Sequence, residues 1–284
     1  MAKTVLKWAI FAVALFVIGP FAGAIASSVQ APDGSTQASI LISHSPARAL
    51  LALALALLLT AIVGVFTSRL FTPRTGLFAA GLVAVWPAGA LGDIGGLLRH
   101  TASAPVFRTL TFEALLVAAA LLAVAWIVSR AGTLTTAAPP TAPSGLRAYE
   151  ERTQALKRSL LAAAAGTIAG GIGAVIAARS TLPGQAIFAA AFAGALGTMA
   201  AVLVHKTVAA HWATAGLVLL IVAGPASGGF APPEETLRAL YASDLSPLAR
   251  ITPLHWFAGL LIGIPIGFSW GESLTTKPPS PTQA

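Results

Sequence analysis

Long apolar runs separated by short polar breaks dominate the chain. They are Val5–Ser27, Arg48–Phe66, Gly76–Leu91, Leu110–Ser129, Ser159–Ala178, Gln185–Val204, Val208–Gly224 and Leu254–Trp270. An α-helix crosses a hydrocarbon core of about 30 Å with about 20 apolar residues, at roughly 1.5 Å per residue, and most of these runs come close to that length. The third and seventh are the shortest. Between the runs stand helix breakers: Pro32-Asp33-Gly34, Thr72-Pro73-Arg74, Pro139-Pro140, Pro183-Gly184 and Pro232-Pro233. The pattern predicts an all-α, polytopic transmembrane helix bundle of about eight spans.

Composition agrees with that reading. Only 9% of the 284 residues are charged and 56% are hydrophobic, too little charge to clothe a soluble body of this size. The net charge of +8 belongs in the loops of such a protein, where it sets orientation. With the N-terminus inside, Lys3, Lys7, Arg69, Arg74, Arg130, Arg147, Arg152, Lys157, Arg158, Lys206 and Lys277 fall on the cytoplasmic side. Arg48, Arg99, Arg108, Arg179, Arg238 and Arg250 fall outside. This bias predicts a multi-pass protein of a bacterial inner membrane with both termini cytoplasmic. The basic runs interleaved with aromatics that mark a nucleic-acid face are missing, so the expected partners are the lipid bilayer and either a membrane-protein partner or a second copy.

Four segments follow. Residues 1–129 form a first membrane half of four spans, 130–158 a cytoplasmic linker, 159–271 a second membrane half, and 272–284 a Pro-rich tail expected to be disordered. The first span has two readings. It is an anchor, or residues 1–26 are a signal peptide: Lys3 and Lys7 precede an apolar stretch, Gly19-Pro20 is a break, and Ala24-Ile25-Ala26 resembles a cleavage site. Tyr149 through Arg158 reads as a short interfacial helix leading into the fifth span.

Small side chains recur every fourth position. Gly259, Gly263, Gly267 and Gly271 share one face of the last span, and Gly166 and Gly170 lie within a similar stripe in the fifth. Membrane helices associate where small residues let backbones approach, because lipid tails are as apolar as leucine. These stripes predict close helix packing, within the chain or against a partner.

The halves also echo one another. Ala80-Gly81-Leu82-Val83 in the third run recurs as Ala215-Gly216-Leu217-Val218 in the seventh, and both runs dissolve into Gly/Pro-rich ends. Short interrupted segments at matching positions in two halves are a pointer to a transporter's binding site. On that ground Pro87, Gly89, Asp93 and Glu113 are expected on one side of a substrate path, with Pro225, Ser227 and Gly228 on the other.

Chemistry is scarce. No cysteine is present, which removes thiolate metal sites and cysteine nucleophiles. His44, His100 and His255 fall on the outer side without the spacing of a metal-ligand pair, and His205 and His211 more simply cap a turn than hold haem. Gly267-Phe268-Ser269-Trp270-Gly271 matches a nucleophile elbow in letters only, since that motif needs a strand-to-helix turn. Ser227 followed by His255 departs from an intramembrane serine protease in lacking a span between the two. No cofactor, metal or catalytic residue is expected, and no enzymatic activity. The leading function is a permease-like protein that moves a small solute or lipid-like substrate. The alternative is a non-catalytic structural or assembly subunit of a larger membrane complex, which explains the near-absence of intramembrane polar residues better than a transporter does.

Overall fold

The computed structural model describes residues 1–36, 38–100, 106–133, 146–206, 208, 210–229 and 232–275. The Thr/Ala/Pro stretch 134–145 of the linker and the tail 276–284 lie outside them. The described chain is all-α. Eight of its helices are long and apolar enough to cross a membrane. In chain order these are Ala2–Ala26, made of α1 (Ala2–Val13), a π-turn (Ala14–Ile18) and α2 (Gly19–Ala26); then α3 (Pro46–Leu70), α4 (Pro73–Ala90), α6 (Val106–Thr133), α7 (Leu146–Ala177), α8 (Pro183–Val204), α9 (Ala210–Gly228) and α11 (Pro253–Thr275). The third candidate span, Pro73–Arg99, takes in α4 and most of a shorter helix, α5 (Ile94–His100), whereas α10 (Pro233–Tyr241) and a 3-10 turn (Pro247–Arg250) lie outside the candidate spans.

The prolines that punctuate the sequence mostly start helices. Pro46, Pro73, Pro183 and Pro233 occupy the first turn of α3, α4, α8 and α10, where the missing N–H has no helical partner in any case. At α4 the Thr72 hydroxyl caps the turn, accepting from the Thr75 N–H at 3.2 Å. The expected breaks at Gly19-Pro20, Pro87 and Pro225 do not end their helices. Pro87 and Pro225 sit inside α4 and α9, which run on to Ala90 and Gly228. Before Pro20 the chain widens into a π-turn, which accommodates the residue that cannot donate to the preceding turn. The expected interfacial helix before the fifth span is likewise continuous with it, in one helix of 32 residues.

Packing follows membrane rather than aqueous logic. On the peripheral spans α3 and α7 small residues turn inward and large apolar ones outward, whereas the central core also holds large side chains such as Leu121, Leu217, Phe257 and Leu260. On α3, Ala52, Ala56 and Thr60 are buried while Leu51, Leu58, Ile62 and Phe66 are exposed; on α7, Ala162 and Ala174 are buried while Ile168, Ile172 and Ile176 are exposed. α11 is the most enclosed span and touches α8, α4, α6 and α9. Its glycines explain how. A Cβ at Gly259, Gly263 or Gly267 would fall within 2.6 Å of a backbone carbonyl oxygen of α8, and one at Gly271 would meet Val202. Gly166 lies against the Gly197 carbonyl of α8, and Gly170 against Leu217 of α9 and Ala193 of α8.

Contacts between the halves are paired. The third span packs on the eighth (α4 on α11), the fourth on the seventh (α6 on α9), and the fourth meets the eighth (α6 on α11). Within the halves, the first span packs on the third and the second on the fourth, as the fifth packs on the seventh and the sixth on the eighth.

At the end away from Arg74 and Arg130 a second core closes the bundle. Ile42, Ile94, Leu97, Leu98, Phe107 and Leu245 are buried together there, with Leu237 and Leu240 of α10 packed against them. α10 forms because Glu234 and Glu235 occupy its first turn and Arg238 its last, charges that oppose the helix dipole at each end.

Candidate functional site: a cup at the Lys/Arg-rich end

Four central spans diverge at the end that carries Arg69, Arg74, Arg130 and Lys206, leaving a cup of about 960 Å³. The first turn of α4 contributes Thr72, Pro73 and Arg74, and the last turns of α6 contribute Trp126, Ser129 and Arg130. Val208, Ala210 and His211 at the start of α9, and Phe268 of α11, complete the lining. Two of these spans come from each half of the chain. The volume is at the upper end of the roughly 300–1,000 Å³ typical of small-molecule sites.

The cup is cationic and aromatic. The Arg74 guanidinium makes a bidentate pair with Glu272, at 2.5 and 2.6 Å, and lies 4.6 Å from the centre of the Phe268 ring. Arg130 lies 5.2 Å from the centre of the Trp126 ring. His211 is exposed at the mouth. The Ser129 Oγ is buried and has no hydrogen-bond partner. Among the described residues no Asp or Glu belongs to the lining.

The residues expected to line a path lie at the opposite end and are dispersed there. Pro87 is buried beside a small apolar void that it shares with Ala26, Ile40, Leu91 and Leu254. Gly89 faces open space. The Asp93 carboxylate caps α5, accepting from the Gly96 N–H at 2.7 Å. Ser227 donates to the Gly224 carbonyl of its own helix at 2.7 Å, and Pro225 is buried. Gly228 lies against the Phe107 ring, which a Cβ there would strike at about 2.5 Å, so this pair forms part of the closed end.

Glu113 is fully enclosed, 1% exposed. Its carboxylate accepts from the Leu41 N–H at 3.1 Å, with the Ile40 N–H and Ser39 hydroxyl beside it. It therefore pins the long connection between the first two spans to α6. His255 is also enclosed. Its Nδ1 pairs with the Thr252 hydroxyl at 2.9 Å, while Nε2 faces the Ala88 carbonyl without reaching hydrogen-bond geometry. Among the described residues no three His, Asp or Glu side chains gather as metal ligands would.

Arg250 is the other organising group at this end. Its guanidinium donates to four carbonyls, those of Leu245 (2.9 Å), Ala178 (3.2 Å), Arg179 (2.9 Å) and Ser243 (2.7 Å). It thus ties the C-terminus of α7 to the turn before α11. Neither the cup nor this clasp is visible as a motif, because their members are far apart in the chain. The clustering of Arg69, Arg74, Arg130 and Lys206 on one side was legible in the sequence, but as a sign of orientation and not of a cup. Comparison with protein-family models, curated proteins and solved structures finds no match.

Proposed function

We propose that the chain is a permease-like, non-catalytic inner-membrane protein. Its two four-span halves flank a path that is open at the Lys/Arg-rich, cytoplasmic end and shut at the other. The observation that carries this reading is the cup between α4, α6, α9 and α11, two helices from each half. The paired contacts support it, since exchanging the third span with the seventh and the fourth with the eighth maps α4 on α11 onto α9 on α6. A parallel duplication about an axis along the membrane normal would give this exchange, while the halves differ elsewhere: the second span packs closely on the third, whereas the sixth barely meets the seventh. The second core and the Gly228–Phe107 contact supply the closed end.

The chain contains no cysteine, so single-cysteine variants report accessibility without a background. His211→Cys, exposed at the mouth of the cup, is expected to react with a membrane-impermeant maleimide from the cytoplasmic side. Ala88→Cys, 1% exposed behind the closed end, is expected to react slowly from the outside, through the minor population in which that end opens. A second reading, a static assembly subunit, is favoured by the glycine contacts of α11, which leave no room at its α8 face. It predicts that Ala88→Cys stays silent until the protein unfolds, and that result would refute the permease.

A further inference from the structure

We propose that residues 38–45, the second limb of the connection between the first two spans, form the outer gate of the path, with Glu113 as its latch. This rests on the path proposed above and names the part that moves when its shut end opens.

Three observations converge on it. First, the segment is non-helical and yet enters the bundle. Ala38, Ser39 and Ile40 are at most 3% exposed. Ile40 packs around a small apolar void with Ala26, Pro87, Leu91 and Leu254, side chains of the first, third and eighth spans. It therefore sits where α4 of one half meets α11 of the other, in the same core as Ala88. Second, the segment is knit largely to its own connection. The Ser39 N–H donates to the Ile42 carbonyl at 3.1 Å, and the His44 N–H to the Gln30 carbonyl at 2.8 Å. The Ile42 N–H donates to the Ser39 hydroxyl at 3.3 Å, and the Ser43 hydroxyl to the Ile40 carbonyl at 3.1 Å. Backbone that leaves a helix at membrane depth must find other partners, and these bonds travel with the segment when it withdraws.

Third, its anchorage to the helices meets mainly at one group. Besides the Gly92 N–H, which donates to the Ala38 carbonyl at 2.8 Å, the tip is held by the Glu113 carboxylate. That carboxylate accepts from the Leu41 N–H at 3.1 Å, with the Ile40 N–H and Ser39 hydroxyl beside it. Three donors thus converge on one acceptor about two turns inside α6, and losing that acceptor frees the tip. The neighbouring 3-10 turn is secured differently, by the four carbonyls that Arg250 holds. The segment, not that turn, is the part able to yield.

Labelling from outside with a membrane-impermeant maleimide tests this, on the full-length protein in sealed membrane vesicles of known orientation. Three alanines at most 2% exposed give matched reporters: Ala38→Cys in the gate, Ala88→Cys behind it, and Ala249→Cys in the second core beside the Arg250 clasp. Ala38→Cys and Ala88→Cys are expected to react, and Ala249→Cys at least about tenfold more slowly. Adding Glu113→Ala leaves the donors of the tip unsatisfied, and should speed the first two by about tenfold or more while Ala249→Cys is unchanged. Glu113→Gln, which keeps one carbonyl oxygen, should speed them less. The three reporters with Glu113 intact carry the test should Glu113→Ala fold poorly. Ala249→Cys reacting as fast as Ala38→Cys in that background overturns the inference, as does an Ala38→Cys rate indifferent to both Glu113 variants. Should Ala88→Cys react while Ala38→Cys stays silent, the path stands and the gate is wrong. Should Ala38→Cys react while Ala88→Cys stays silent, the permease reading falls, and the gate with it.

Discussion

Replacing Gly263 with alanine puts the packing of the central helix to a quantitative test. An alanine Cβ at this position would stand 2.0 Å from the Ala191 carbonyl oxygen and 2.9 Å from the Ala195 nitrogen. Ordinary contact begins near 3.4 Å, so the α11 and α8 backbones must separate locally by roughly 1.4 Å. Both obstacles are backbone atoms of a continuous helix and have no rotamer to change. Overpacking costs about 1–3 kcal/mol, and a rigid obstacle places this case at the top of that range. Alanine returns up to about 1 kcal/mol through its higher helix propensity. The net loss is then about 2 kcal/mol, or roughly thirtyfold in the unfolding equilibrium at 1.36 kcal/mol per decade. Gly89→Ala is the matched control, because a Cβ there meets nothing within 4 Å; it should be neutral or mildly stabilising. Titration into SDS from mixed micelles, followed through tryptophan fluorescence, reads both variants, since Trp256 is fully buried on the same helix. If Gly263→Ala unfolds at the wild-type SDS fraction, or Gly89→Ala loses as much, the close approach of α8 and α11 does not hold the bundle together.

Other perturbations separate strong contacts from weak ones. Arg250→Lys should cost about 2–3 kcal/mol despite keeping the charge, because a single ammonium cannot reach four carbonyls on two segments; thermal unfolding and faster hydrogen exchange around Ser243 and Leu245 would register it. Glu113→Ala leaves the Leu41 N–H without its acceptor and should cost about 1–3 kcal/mol. Hydrogen exchange at Leu41 should accelerate in that variant and recover partly in Glu113→Gln, which keeps one carbonyl oxygen; unchanged exchange in both would mean that the carboxylate does not hold the turn. Glu272→Gln should cost no more than about 1 kcal/mol in the same SDS titration, since the pair with Arg74 is 42% and 48% exposed and water screens such pairs.

The helical bundle was legible in the sequence because the bilayer imposes one rule on every span. About 20 apolar residues must satisfy their own backbone hydrogen bonds, so helix number and rough extent follow from hydropathy alone. The Gly259 to Gly271 spacing was equally readable as a packing face, since a four-residue period aligns side chains on any helix. What escaped was local and non-local in turn. Proline reads as a breaker in a list of residues, yet Pro87 and Pro225 stay inside helices because neighbouring turns and packed spans tolerate one missing donor. α5 and α10 are too short to stand out by periodicity and are held by packing of Leu97, Leu98, Leu237 and Leu240 in the second core.

By itself, then, the sequence determined a membrane bundle of about eight helices, the face on which α11 presents its glycines and the side on which Lys and Arg accumulate. Each of these depends on residues close together in the chain. Only the tertiary structure decided which helix receives the glycines, that Glu113 serves the connection between the first two spans, and that the open volume lies between Arg74, Arg130 and His211. These are meetings of residues as much as 198 positions apart, as with Arg74 and Glu272, and helix packing rather than local pattern selects them.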